Sequence, residues 1–98
     1  MNINLEKQND LLVVSLEGRL DTNTSHAFEE VINNINSDTK ELVINIKDLE
    51  YISSAGLRVL LAAQKKMNKM GSMKVINVCD SIMEIFEITG FIDILTIE

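Results

Sequence analysis

Between Glu41 and Met70 the hydrophobic period of the chain changes once. Leu42-Val43-Ile44-Asn45-Ile46 is an almost unbroken apolar run, and from Ser54 onward Leu57, Leu60, Leu61, Gln64 and Met67 recur at helical spacing. The run reads as an internal parallel strand covered on both faces, and the stripe behind it as an amphipathic helix. Val59, Ala63 and Met70 widen that stripe. Lys65, Lys66 and Lys69 fall in its last turns, where cations complement the carbonyl end, and Gly71 supplies the stop. A second strand of the same kind, Lys74 to Val78, follows at once. Parallel strands need a crossover between them, so strand, helix and strand in this order point to an α/β domain.

The flanking segments extend that plan. Asn2 to Glu6 reads as a short edge strand, Gln8-Asn9-Asp10 as a turn, and Leu11 to Gly18 as a clearer strand. In the latter, Leu12, Val14 and Leu16 share one face while Ser15 and Glu17 take the other. Together they predict an antiparallel hairpin. Gly18 to Thr24 is a loop rich in capping residues, and Ala27, Phe28, Val31, Ile32 and Ile35 mark a helix ended by Asn36-Ser37-Asp38. Asp80-Ser81 opens a third helix, with Ser81 and Glu84 at capping-box spacing. Ile82, Ile85, Phe86 and Ile88 are its expected apolar face, Gly90 its end, and Ile92 to Ile97 a final short strand. The 98 residues suffice for one core and not two. The expected fold is therefore α/β: a mixed, largely parallel sheet with an N-terminal antiparallel hairpin, packed against helices.

Charge and cysteine content narrow the function. A net charge of −6 opposes direct nucleic-acid binding, which needs a basic footprint, and opposes binding to anionic lipid. No apolar run approaches the roughly 18 residues of a bilayer-crossing helix, so membrane insertion is not expected. The first residues, Met1 to Lys7, lack the basic start and apolar run of a signal peptide, and a cytoplasmic location is the expectation. Cys79 is the only cysteine, which leaves no intramolecular disulfide or cysteine-based zinc site. With Ile76 and Val78 as neighbours it reads as a buried, reduced thiol. No Gly-rich loop ends in Gly-Lys-Ser/Thr, so nucleotide binding of the Walker kind is unsupported, and no cofactor or metal is expected.

Ser53 and Ser54 stand where strand gives way to helix. One reading is a plain cap, a hydroxyl accepting a backbone N–H bond and contributing about 1 kcal/mol. The other uses the same geometry, because the start of a helix favours an anion such as a phosphate carried on that hydroxyl. Serine hydrolysis is a poor fit. The strained G-x-S-x-G turn would need glycine at position 52, which is Ile52, and the sole histidine, His26, lies on the first helix beside Ser25. Asp48 follows a strand as a phosphoacceptor aspartate might, but the companion acidic pair is missing. Glu17, Asp21, Asp48 and Glu50 read instead as solvated charges around the Ser54 end of the sheet.

Four pieces in order resemble the STAS domain, specifically the bacterial anti-sigma factor antagonists. They are Leu16-Glu17-Gly18-Arg19-Leu20-Asp21 with Thr24; Leu42 to Ile46; Leu49-Glu50-Tyr51-Ile52-Ser53-Ser54-Ala55-Gly56-Leu57-Arg58; and Phe86-Glu87-Ile88-Thr89-Gly90-Phe91. The resemblance covers almost the whole chain and implies a single STAS domain over residues 1–98. It implies a protein that is not an enzyme. When unphosphorylated it would bind an anti-sigma factor that is also a serine kinase, releasing a sigma factor; phosphorylation of Ser54 would end that binding. A serine phosphatase would reverse the modification. Ser53 is the neighbouring cap and the alternative acceptor, since it replaces the aspartate that many relatives carry before the modified serine. Asp21, Thr24, Ser53, Ser54, Gly56, Leu57 and Arg58 are the partner-binding residues expected on this basis, with Gly56 allowing close approach of a partner backbone. The second reading is a STAS module that works without phosphorylation, as the accessory subunit of an ABC-type lipid transporter.

Overall fold

Alternation in Leu12, Val14 and Leu16 builds the first element pair as expected. In the computed structural model, which describes every residue from Met1 to Glu98, β1 (Asn2–Gln8) and β2 (Leu11–Leu20) form an antiparallel hairpin with Leu5 opposite Val14. Asn9 turns the corner at φ 58°, a left-handed conformation that asparagine tolerates. The chain continues through α1 (Ser25–Asn33), β3 (Glu41–Ile52), α2 (Ser54–Met70), β4 (Ser72–Ile76) and α3 (Asp80–Thr89) to a short 3₁₀ turn at Phe91–Asp93. The sheet runs β1-β2-β3-β4, with β2, β3 and β4 mutually parallel.

One core of 22 residues joins all three helices to the same side of the sheet. Phe28 and Ile32 of α1, Leu60, Ala63 and Met67 of α2, and Ile82 and Phe86 of α3 meet Val14, Leu16, Ile44 and Val75 there. The opposite side carries no helix: Ser15 and Asn45 are half-buried and Lys47 is exposed. The expectation that β3 is covered on both faces is thus corrected. Val43 points to this open side and is nonetheless buried, flanked in register by Val13 and by Lys74, whose ammonium reaches Glu41 and Glu98. An apolar residue sheltered by a long lysine stem makes the segment look covered on both faces.

Two further differences share a cause in backbone geometry. β3 runs to Ile52 rather than Ile46, because register shifts opposite Ser15/Glu17 and Gly18/Arg19 each insert an extra β3 residue. Beyond Ile46 the inward residues are therefore Leu49 and Ile52, three apart, which hides a strand from any period-two reading. β4 occupies Ser72–Ile76 instead of residues 74–78, since Asn77 leaves the strand at φ 60° and donates its Nδ2 to Asn45 Oδ1 at 3.0 Å.

The C-terminal expectations change most. Residues 92–97 do not form a strand; only Ile97 bridges Val75, with Val75 N–H donating to Thr96 O at 2.8 Å and Glu98 N–H to Val75 O at 3.0 Å. The N-cap of α3 is Cys79 and not Ser81, and no side chain caps that helix, so the Ser81/Glu84 capping box is absent. Cys79 is exposed rather than buried, with its Sγ 3.3 Å from Ser81 Oγ. That hydroxyl and the free N–H groups of the helix start lower the thiol below its ordinary range. Ile88, assigned to the apolar face of α3, is instead 86% exposed.

Candidate functional site

Two strand ends and two helix starts converge at Ser54. Ser53 N–H donates to Leu20 O at 2.8 Å, which ties the exit of β3 to the exit of β2. The residues immediately after that bonded pair are Ser54 and Asp21, so both leave the sheet from one backbone tie. Ser53 is the N-cap of α2 in extended conformation, and its Oγ accepts from Gly56 N–H at 3.4 Å. Ser54 is the first helical residue, exposed, and its hydroxyl makes no hydrogen bond within the chain. The plain-cap reading therefore belongs to Ser53, and Ser54 is left free at the end of α2 where unpaired N–H groups collect.

The neighbouring loop is rigid by hydrogen bonding. Asp21 Oδ1 accepts from Asn23 N–H and Thr24 N–H, both at 3.0 Å, while Thr24 Oγ1 donates to Arg19 O at 2.7 Å and accepts from Asp21 N–H at 2.8 Å. The Thr24 hydroxyl is engaged in this knot, bonded to Arg19 and Asp21. The Thr24 N–H bond, above all, holds the Asp21 carboxyl below the ordinary aspartate range. A carboxyl depressed in the folded state contributes stability above its unfolded pKa, near 3.8, and that contribution disappears as pH falls through the lower folded value. Asp21→Asn keeps an acceptor and removes the titration. The gap in urea midpoint between wild type and Asp21→Asn should accordingly narrow as pH drops below about 4; a gap independent of pH excludes this role for the carboxylate.

Gly56 and Leu57 are buried beneath the site, which corrects their expected place on the docking surface. A Cβ at Gly56 would lie 2.7 Å from Leu20 Cγ and 3.0 Å from Ile52 Cγ1, so the close approach that glycine permits is internal. It seats the first turn of α2 against the ends of β2 and β3. Arg58 is exposed, one turn beyond Ser54, and takes part in no ion pair. With Ala55 and Val59 it faces Thr22, Ser25, His26 and Glu29 across a cleft of about 260 Å³ between α1 and α2. Sequence reasoning missed this α1 wall of the cleft, as nothing in the spacing of Thr22 or His26 relates them to residue 58. Tyr51 lies on the other side of the site, with the Arg19 guanidinium 4.2 Å over its ring. Glu17, Asp48 and Glu50 are exposed around a shallow hollow on the open sheet side.

Removing each serine should have opposite signatures. Ser53→Ala should cost roughly 0.5–1 kcal/mol, lowering Tm by a few degrees, because one helix N–H loses its acceptor. Ser54→Ala should leave thermal unfolding within about 0.5 kcal/mol. Scanning calorimetry of the two variants checks the pair, and equal losses contradict the division of labour.

The whole chain then finds its relatives. A family model described as the STAS domain matches residues 2–98. The chain is a STAS domain. An anti-sigma-B factor antagonist of Staphylococcus aureus is 31% identical to it, over 97% of this chain and 92% of that protein. Among solved structures, an anti-sigma factor antagonist from Mycobacterium paratuberculosis superposes with a TM-score of 0.87 at 26% identity, covering 98% of this STAS domain and 83% of that chain. SpoIIAA, a Bacillus cell-fate determinant, shares the fold in both its forms at 17% identity. The TM-score is 0.83 for the unphosphorylated form (99% of this chain, 88% of that one) and 0.78 for the phosphorylated form (99% and 91%).

Proposed function

We propose that this STAS domain is an anti-sigma factor antagonist whose affinity for its partner is set by phosphorylation of Ser54. The observation that carries this reading is the free, exposed hydroxyl of Ser54 at the N-terminus of a 17-residue helix, on a scaffold already tied down by the Ser53–Leu20 bond. Its relatives bear the name of anti-sigma factor antagonists, which supports an anti-sigma factor as the partner. A partner that is also the serine kinase explains why acceptor and docking surface coincide, and a serine phosphatase resets the state. The docking surface comprises Ser54, Ser53, the Asp21 loop and Arg58. Gly56 and Leu57 support it from below. The protein acts by binding and carries no catalytic group of its own.

The mechanism is a change of charge at a fixed surface. A phosphate adds about −1.5 to −2 charge, which the helix start accommodates without refolding. A partner pressed against Ser54 must then strip water from that anion or be repelled by it. Incubation with the cognate kinase and ATP, followed by intact-mass measurement, should show a single phosphate on the wild type and none on Ser54→Ala. A phosphate that persists in Ser54→Ala and vanishes in Ser53→Ala reassigns the acceptor to the capping serine.

A further inference from the structure

We infer that the C-terminal end of α3, with the turn that follows it, is a second docking surface whose occupant is a basic amphipathic helix of another protein. It goes beyond the serine switch and does not depend on it. Six large apolar side chains are exposed in the whole molecule, and three of them, Ile88, Ile92 and Ile94, lie within one seven-residue stretch. Ile88 is 86% exposed on a helix whose Ile82 and Phe86 are buried in the core. Clustered exposed apolar side chains with a polar rim mark interaction surfaces.

The rim says what covers it. From Val75 to Glu98 the chain contains Asp80, Glu84, Glu87, Asp93 and Glu98 and no lysine, arginine or histidine, so this quarter of the sequence carries −5 of the total −6. Only Glu98 has a cationic neighbour, Lys74 at 3.6 Å. Glu84 stands one helical turn before Ile88 and therefore beside it; Glu87 and Asp93 flank it along the chain. A second copy of this protein would set this unneutralised field against itself, and an anionic membrane would be repelled likewise. A helix with leucine-type anchors at i, i+3, i+4 and i+7 and lysine or arginine around them satisfies both the apolar side chains and the carboxylates.

Its position makes the surface independent of Ser54. Ile97 pairs in parallel with Val75, so the chain preceding it lies level with the beginning of β4, which is itself paired with the beginning of β3. Ser54 follows the far end of β3, on the order of 30 Å along the strand. Two partners, or two segments of one, can sit on the domain together.

The test titrates a synthetic leucine–lysine amphipathic helix of about 18 residues into the isoleucine-methyl-labelled full chain. Saturable shifts should centre on Ile88, Ile92 and Ile94. Ile88→Lys, a change at an exposed position that leaves the core intact, should weaken binding about tenfold or more. Glu84→Lys should weaken it about twofold to fivefold, and Ser54→Asp should leave it unchanged. Shifts centred on α2, equal binding of a lysine–serine peptide without leucines, or no saturable binding would each overturn the proposal. So would self-association of the protein alone, seen by sedimentation and removed by Ile88→Lys, because the occupant would then be a second copy. If Ser54 proves not to be phosphorylated, none of these readouts changes.

Discussion

Phosphoserine at position 54 is expected to weaken binding of the anti-sigma factor by more than about a hundredfold, with no change of fold. A penalty of roughly 3 kcal/mol is enough for that loss. Truncating or burying an unpaired charge at a docked surface commonly costs this much, since the group must shed its water without gaining a partner. The same charge costs the free protein little. Ser54 is exposed, makes no intramolecular hydrogen bond, and stands at the favourable end of α2. Calorimetric titration with and without the phosphate, paired with melting curves of both forms, measures the two effects separately. Equal affinities of the two forms, or a phosphorylated form that melts well below the unmodified one, would contradict a switch that works by surface charge alone. Ser54→Asp supplies only part of the charge and a shorter reach, so it should give a smaller loss in the same direction.

Gly71→Ala is expected to be the most damaging single-methyl change in the chain, lowering stability by about 3 kcal/mol or more and Tm by roughly 10 °C or more. Gly71 ends α2 with φ 170°, outside the left-handed region, and the expected damage comes from steric contact. An added Cβ would stand 2.7 Å from the Lys40 carbonyl carbon and closer still to its oxygen, the oxygen that accepts the Ser72 N–H bond at 2.9 Å. Lys40 and Ser72 lead into β3 and β4, and backbone cannot rotate away as a side chain can. Gly90→Ala is the control: at φ 83° with nothing within 4 Å of its Cβ, it should lose only about 1–2 kcal/mol of left-handed strain. Chemical denaturation of both variants decides the point, and a Gly71→Ala loss no greater than that of Gly90→Ala would mean that the β3–β4 entrance yields easily.

Where local pattern and tertiary environment agree, the elements were legible in advance. The β1–β2 hairpin, α2 from Ser54 to Met70 with Gly71 as its stop, and the parallel order of β3 and β4 follow from periods and terminators carried in short windows. Strand ends and the last quarter of the chain were less legible. Two bulges make the second half of β3 inward at every third residue, and Asn77 ends β4 early through a bond to Asn45, thirty-two residues away. At residues 92–97 an apolar strand-like composition was misleading, as Ile92 and Ile94 face water and only Ile97 pairs.

The sequence by itself determined the class of fold, the junction at which a serine would start a helix, and the acidic character of the surface. These depend on side-chain periodicity, on capping chemistry and on a sum of charges, all of which are local or additive. Ser53 as cap and Ser54 as acceptor were already readable at that junction. Tertiary structure added the Ser53 N–H bond to Leu20, which ties the helix start to the end of β2. It also turned Gly56 and Leu57 inward, joined the α1 side of the cleft to Arg58, and left Ile88 bare among carboxylates. The bond to Leu20, the seat of Gly56 and the α1 wall opposite Arg58 each join residues far apart in the chain. Geometry of that kind exists only once the sheet has closed beneath the helices.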